Sequence, residues 1–272
     1  MDQPFRSVSF ERDSPALAST YDETDQPQFL QGKQLLELLD LKPGATVLDI
    51  GAGTGRLAAY AAGLVGPDGH VTALDPLPHR IGLAAAKPAA NLTAVIGYAE
   101  DLSAYATDSF DAVYMNSVYH WVEDRPLALR EAYRVLKPGG RFAVNTADPE
   151  RPHQLTQAIR AAVEEAGAGD AWPGEAMQGV TATQLDRDLK AAGFKRRDIT
   201  SEQFENLHET AASVIAWSQS SAFGNLAVLA QHDPALWEHL RARIAARLEA
   251  HRVTGGFSLS RYLVFAVGMK PD

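Results

Sequence analysis

The chain has 272 residues, enough to bury a full core as one large domain or as one domain with a helical attachment. Its 46% hydrophobic and 22% charged residues are ordinary globular material; no apolar run approaches the roughly 18 residues of a membrane span, and no apolar stretch follows Met1-Asp2-Gln3-Pro4-Phe5-Arg6, so a cytoplasmic address is expected. A formal net charge of −9 opposes binding to nucleic acid or an anionic membrane, and the absence of cysteine excludes disulfides, thiolate metal sites and a cysteine nucleophile.

Residues 1–25 form a polar, proline-punctuated arm, part of which is expected to be mobile without ligand. Residues 28–41 carry a helical stripe at Phe29, Leu35, Leu36, Leu38 and Leu39, ending before the turn Lys42-Pro43-Gly44. The short run Val47-Leu48-Asp49-Ile50 then leads through Gly51-Ala52-Gly53-Thr54-Gly55 into an amphipathic segment at 57–64. Strand, tight loop and helix N-terminus in that order mark the usual place for a nucleotide-like cofactor in an α/β sheet. Two details point away from a dinucleotide. The sixth loop position is Arg56 instead of glycine, and Asp49 at the loop mouth would repel a diphosphate. The same carboxylate suits an ammonium group, so a phosphate-free cofactor with an adenosine half and an amino-acid half fits both.

Alternation continues beyond the loop. Val71 to Asp75 is a second run closed by an acid, 24 residues past Gly51 (75 − 51). A helix is expected at 80–86, a strand at 92–96 followed by Gly97-Tyr98-Ala99-Glu100-Asp101, and a strand at Phe110-Asp111-Ala112-Val113-Tyr114-Met115-Asn116. A helix at 126–136 precedes Leu136-Lys137-Pro138-Gly139-Gly140-Arg141-Phe142-Ala143-Val144, a turn and a fifth strand. Such βα alternation signals a parallel sheet with right-handed crossovers. It stops near Asp148-Pro149. Beyond lie helices at 155–166 and 183–192, with Thr183 as N-cap and Gly193 as stop, a sixth strand at 194–204, helices at 209–220 and 234–251, and a seventh strand at 257–269. Lys195-Arg196-Arg197, the compact basic cluster, sits at a helix end where cations suit the dipole.

These five segments, in order and spacing over residues 45–148, resemble the motifs of the class I S-adenosylmethionine-dependent methyltransferases. The resemblance implies a doubly wound, seven-stranded, mostly parallel Rossmann-like sheet whose last strand runs antiparallel and forms a hairpin with the sixth. About fifty residues separate those two strands here, far more than a hairpin needs. The division expected is an N-terminal arm and helix (1–44), a cofactor-binding core (45–148), and a remainder (149–272) with a helical cap inserted at 149–180 and 206–255. The implied cofactor is S-adenosylmethionine, with S-adenosylhomocysteine as product. Its implied contacts are Asp49, Gly51, Ala52, Gly53 and Gly55, then Asp75 on both ribose hydroxyls with Pro76 beside it, Glu100 or Asp101 on the adenine amino group, Asn116, and Tyr21 closing from the N-terminal arm.

The segment Asn116-Ser117-Val118-Tyr119-His120-Trp121 faces the departing methyl group in that family. Enzymes that methylate nucleobase amines carry two prolines where Ser117 and Val118 stand, so a nucleic-acid substrate is not expected. His120-Trp121 instead resembles the branch acting on small acids, such as trans-aconitate and juvenile hormone acid. Tyr119, His120 and Trp121 are then acceptor-pocket residues, with Trp217, Phe223 and Trp172 as aromatic candidates in the cap. His120 is the candidate general base for a hydroxyl, phenol or thiol acceptor; a carboxylate needs none. The histidines show no metal-ligand spacing, His232 and His239 included, and no metal is expected. The expectation is methyl transfer to O, N or S of a small molecule, against a non-catalytic cofactor-binding partner or an NAD-linked oxidoreductase. The sequence leaves the oligomeric state open.

Overall fold

The computed structural model describes residues 13–168, 179–221 and 233–272. The chain separates into two compact units. A sheet unit comprises Gln26–Asp148, Gly179–Glu202 and Leu263–Asp272, and a helical unit comprises Met1–Asp25, Pro149–Gln178 and Gln203–Tyr262. The N-terminal arm therefore groups with the insertions and not with the first long helix.

In the sheet unit, α2 (Gln26–Leu39) precedes β1 (Thr46–Ile50), α3 (Arg56–Val65), β2 (His70–Asp75), α4 (Pro78–Ala85), β3 (Leu92–Ile96), β4 (Phe110–Asn116), a single 3₁₀ turn (Tyr119–Trp121), α5 (Arg125–Val135) and β5 (Leu136–Ala147). After α7 (Ala182–Ala192), the strands β6 (Lys195–His208) and β8 (Gly256–Met269) contribute residues to both units. The sheet order is β3-β2-β1-β4-β5-β8-β6, the reversal beside β1 being that of a doubly wound fold. β1 pairs in parallel with β2 and β4, while β8 runs antiparallel to β5. The two-residue β7 (Arg252–Val253) pairs only with β8 and makes eight strands where seven were expected.

The reasons are local. Val47, Leu48 and Ile50 are buried, as a central parallel strand covered on both faces demands. α5 starts with Asp124 accepting from the Leu127 amide at 2.9 Å and Pro126 in its first turn, a favourable pairing of cap and fixed φ. α7 is capped by Thr181 and not by Thr183: the extended backbone that lets a side chain reach an amide three residues on, here Gln184, occurs at Thr181. The core around β1, β4 and β5 packs Leu48, Met115, Phe142 and Val144 against Leu129, Leu189 and Phe194.

The helical unit contains α1 (Pro15–Thr24), α6 (Gln154–Glu165), α8 (Ala211–Ser221) and α9 (Pro234–Leu248). α1 lies within the arm read as polar and partly mobile; Ser14 accepts from the Leu17 amide at 3.2 Å and Pro15 follows, which starts the helix. Leu155, Ile159, Val214, Trp217, Trp237, Leu240, Phe257 and Leu259 form its core. Among the described residues no helix is long and apolar enough to cross a membrane.

Candidate functional site

At the carboxyl end of β1 the backbone turns through Gly51, Gly53 and Gly55, all at positive φ (76°, 56° and 79°). Glycine is required at Gly55 on two counts: it caps α3 in the left-handed region, and a Cβ there would lie 2.7 Å from the backbone Cα of Ala84. A Cβ on Gly51 would strike Val118 at 2.2 Å, so the glycine loop and the loop after β4 touch.

The neighbouring strand holds the loop. The Gly51 and Ala52 amides donate to the Leu74 carbonyl at 2.7 and 3.0 Å, and the Gly53 amide donates to Asp75 Oδ2 at 2.8 Å. Asp75 Oδ1 accepts from the Leu77 amide at 3.0 Å, which turns the chain through Pro76 into α4. Asp75 is thus buried and oriented through both oxygens. The three loop amides are consumed by β2, which leaves none of them for a phosphate.

Asp49 is 1% exposed and accepts from the Tyr114 hydroxyl at 2.7 Å. Burial pushes its carboxyl up to about 8; the Tyr114 hydrogen bond opposes this and the Asp75 charge adds to it. Burial, reinforced by the Asp49 charge, raises the Tyr114 phenol as well. Arg56, the nearest cation in sequence, is drawn onto α2: it donates to Gln26 Oε1 at 2.5 Å and its guanidinium lies 4.4 Å from the Phe29 ring. The loop is therefore flanked by two carboxylates, Asp49 and Asp75. It suits an ammonium or sulfonium and vicinal hydroxyls, and it does not suit a diphosphate.

The other anticipated residues divide. Asn116 ends β4, where its Nδ2 donates to the Gln28 carbonyl at 3.1 Å and its Oδ1 accepts from Asn145 Nδ2 at 2.8 Å. Asn145 Oδ1 in turn accepts from the Ser117 amide at 2.6 Å and holds Ser117 at φ 58°, a left-handed conformation uncommon for serine. Glu100 Oε1 accepts from the amides of Glu123 and Asp124 at 3.0 and 3.3 Å, ahead of α5. Asp101 is exposed and its Oδ1 accepts from the Ser103 amide at 3.1 Å; the Ser103 side chain first, and this amide next, lower its carboxyl pKa. His120 is buried, its Nδ1 3.2 Å from Thr146 Oγ1 and its ring 5.2 Å from that of Trp121.

Tyr119, expected in the acceptor pocket, lies wholly buried in the core with its hydroxyl donating to Asp188 on α7 at 2.9 Å. The aromatic at that spacing packs under the turn, because the 3₁₀ geometry sends it inward. Tyr21 and Trp217 belong to the helical unit, Tyr21 on α1 within reach of the Arg261 charge, and Trp217 in the core of α8. Phe223, Trp172 and His232 lie outside the described residues.

Sequence reasoning missed Thr54, Gln28 and Asn145. Thr54 is 1% exposed inside the glycine loop, and its hydroxyl has no hydrogen-bond partner among the described residues. A polar residue amid the glycines was the available signal. Gln28 and Asn145 gave none, since they meet Asn116 only through the fold.

Residues 48–144 match the family described as a methyltransferase domain. Similar curated proteins include the arsenite methyltransferase of Aquipseudomonas alcaligenes, 36% identical over 155 residues that cover 53% of this chain and 44% of that protein. The demethylmenaquinone methyltransferase of Listeria welshimeri is 36% identical over 125 residues, 44% of this chain and 52% of that one. The chain thus spans about half the length of the curated relatives it matches. Among solved structures, YcgJ from Bacillus subtilis superposes with a TM-score of 0.61 at 19% identity over 89% of this chain and 98% of that one, a likeness of fold.

Proposed function

We propose that this chain, whose residues 48–144 match a methyltransferase domain, is of the class I, S-adenosylmethionine-dependent type and transfers a methyl group to an oxygen, nitrogen or sulfur atom of a small-molecule acceptor. The observation that carries the reading is the glycine loop itself. It is flanked by Asp49 and Asp75, its first three amides are tied to β2, and its neighbouring arginine is diverted onto Phe29.

In this reading Gly51, Ala52, Gly53 and Gly55 pass the backbone beneath the cofactor. Asp49 faces its ammonium end, and Asp75, with Pro76 shaping the turn, receives the ribose hydroxyls. Glu100 or Asp101 serves the adenine, and Asn116 positions the loop after β4. The bound cofactor supplies an electrophilic methyl on a good leaving group, so the protein's work is to align the acceptor and exclude water. His120 and Trp121 are assigned to the acceptor, His120 taking the proton when the acceptor is a hydroxyl, phenol or thiol. Arsenic held by protein thiolates is outside the chemistry of this chain, which has no cysteine. The charge of −9 supports a small-molecule partner over nucleic acid or a membrane surface, and we place the protein in the cytoplasm.

Calorimetric titration of S-adenosylmethionine and NAD into wild type and Asp75→Ala tests the reading. Saturable S-adenosylmethionine binding is expected, weakened at least about tenfold in the variant through loss of charged hydrogen bonds to the ribose. Far-ultraviolet circular dichroism checks that the variant keeps its fold. Binding of NAD in place of S-adenosylmethionine would sink the proposal in favour of an oxidoreductase. Cofactor binding without methyl transfer to any of a panel of small acids, phenols, amines and thiols would favour a non-catalytic partner.

A further inference from the structure

Two asparagines stand opposite each other on neighbouring strands, Asn116 at the end of β4 and Asn145 on β5. Asn145 is 0% exposed, and the residues before it, Phe142, Ala143 and Val144, are apolar and buried. An amide at such a position forfeits its hydration and has to be matched bond for bond. An apolar pair would serve the two strands as well, so the amides call for a reason beyond building the sheet.

Their bonds allow a single polarity. At one end the Ser117 amide donates to Asn145 Oδ1 at 2.6 Å, and a backbone N–H can only donate. At the other end Asn116 Nδ2 donates to the Gln28 carbonyl at 3.1 Å, and a carbonyl can only accept. Between them Asn145 Nδ2 donates to Asn116 Oδ1 at 2.8 Å. Neither side chain can turn over without setting like atoms against each other, so both are fixed in orientation.

The consequence falls on the loop after β4. Ser117 sits at φ 58°, in the left-handed region where a serine needs support, and Asn145 supplies it through the amide. The next residue, Val118, is thereby laid on the glycine loop: its Cγ2 would stand 2.2 Å from a Cβ on Gly51. Thr146 follows Asn145 and faces the other side of β5, its Oγ1 3.2 Å from His120 Nδ1. β5 thus grips the segment at Ser117 and again at His120, and Val118 between them rests against Gly51.

We propose that Asn145 is a positioning residue of the cofactor site: by locking Ser117 left-handed it keeps Val118 seated on Gly51 and so fixes the glycine loop in its binding arrangement. What the loop binds rests on the methyl-transfer reading; the lock rests on the hydrogen bonds alone.

Asn145→Asp makes the lock respond to pH. A neutral carboxyl accepts from Ser117 and donates to Asn116 as the amide does, whereas a carboxylate only accepts and meets Asn116 Oδ1 as a second acceptor. Burial raises a carboxyl's pKa, which brings the switch into a workable range. The full chain is titrated with S-adenosylmethionine by calorimetry at a series of pH values, wild type beside variant. Carbon-13 spectra follow the new carboxyl, and ¹H–¹⁵N spectra follow the Ser117 and Gly51 amides. Expected is a Kd equal to that of wild type while the carboxyl is neutral, and about tenfold or more above it once the carboxyl ionises. Both amide resonances should move with the same midpoint. A role confined to stability would lower Tm and leave the affinity of the folded protein unchanged. The added negative charge by itself would strengthen binding of a cationic cofactor, the opposite sign.

Should the ionised variant not stay folded, Asn145→Leu, of similar volume, breaks both bonds at every pH. The same tenfold loss is expected, and adding Ser117→Gly should recover most of it, since glycine takes a left-handed φ unaided. Variant affinity that tracks wild type at every pH, or no recovery by Ser117→Gly, would overturn the proposal. A wild type that binds no S-adenosylmethionine would overturn the methyl-transfer reading and the cofactor role together, a failure seen without any variant.

Discussion

Replacing Asp49 by asparagine keeps the shape of the side chain and an acceptor for the Tyr114 hydroxyl, and removes the ionisable group. The wild-type carboxyl is pushed from 3.8 to about 8, chiefly by burial. The folded state therefore holds a proton that the unfolded chain releases above pH 3.8. By linkage, the stabilising contribution is complete below the unfolded pKa and is lost as pH rises through the folded one. Each unit corresponds to about 1.4 kcal/mol, so wild type should lose about 4 kcal/mol relative to Asp49→Asn between pH 4 and pH 7. Urea unfolding of both proteins at pH 4, 5.5, 7 and 8.5, at constant ionic strength, measures the difference. The reasoning makes a second demand: a bound ammonium group favours ionised Asp49, so S-adenosylmethionine binding at pH 7 should release a proton. Calorimetry in two buffers of different ionisation enthalpy detects it. A wild-type minus variant stability difference that does not change with pH would refute the argument, and buffer-independent binding enthalpy would refute its extension to the ligand.

His153 should behave in the opposite sense. Burial holds its pKa at about 3 against an ordinary 6.5, so its contribution is present above pH 6.5 and lost as pH falls toward 3; His153→Asn should lose less stability than wild type over that window, seen as a lower acid-unfolding midpoint. Gly55→Ala should cost about 3 kcal/mol or more, since φ is 79° and the new Cβ meets Ala84 backbone; the denaturant midpoint measures it. Tyr119→Phe should lose about 1 kcal/mol, the hydrogen bond to Asp188, with the acceptor KM unchanged, and a raised KM would return Tyr119 to the acceptor site.

Much of the architecture was legible in order along the chain because its signals are short-ranged. The run Val47 to Ile50, the glycines from Gly51 to Gly55 and Asp75 closing the next run each act within a few residues, whereas the turn expected at Pro138-Gly139-Gly140 lies inside β5. Backbone sterics and burial of alternate runs leave few other ways to fold such segments. Gly193 likewise marks the end of α7 by its left-handed φ of 103°. Local signals also misled: Thr183 looked like a cap, yet Thr181 has the extended backbone that capping needs.

Side-chain partners were another matter. Asn116 stands where the chemistry was expected, but its amide spans Gln28 and Asn145, residues 88 and 29 positions away. Tyr119 has the spacing of a pocket aromatic and is taken into the core by Asp188, 69 positions on. His153, Asn206 and His208, each with a buried nitrogen that has no hydrogen-bond partner among the described residues, share no motif; α6 and β6 bring two of them against Trp217 and the third onto the same strand face. The sequence by itself determined the strand–loop–helix frame and the acids at its strand ends, because periodicity and glycine φ act locally. Only the tertiary structure decided which polar groups are already engaged and which are left buried without an acceptor, because hydrogen bonds form between whichever groups the fold brings within about 3 Å, whatever their separation along the chain.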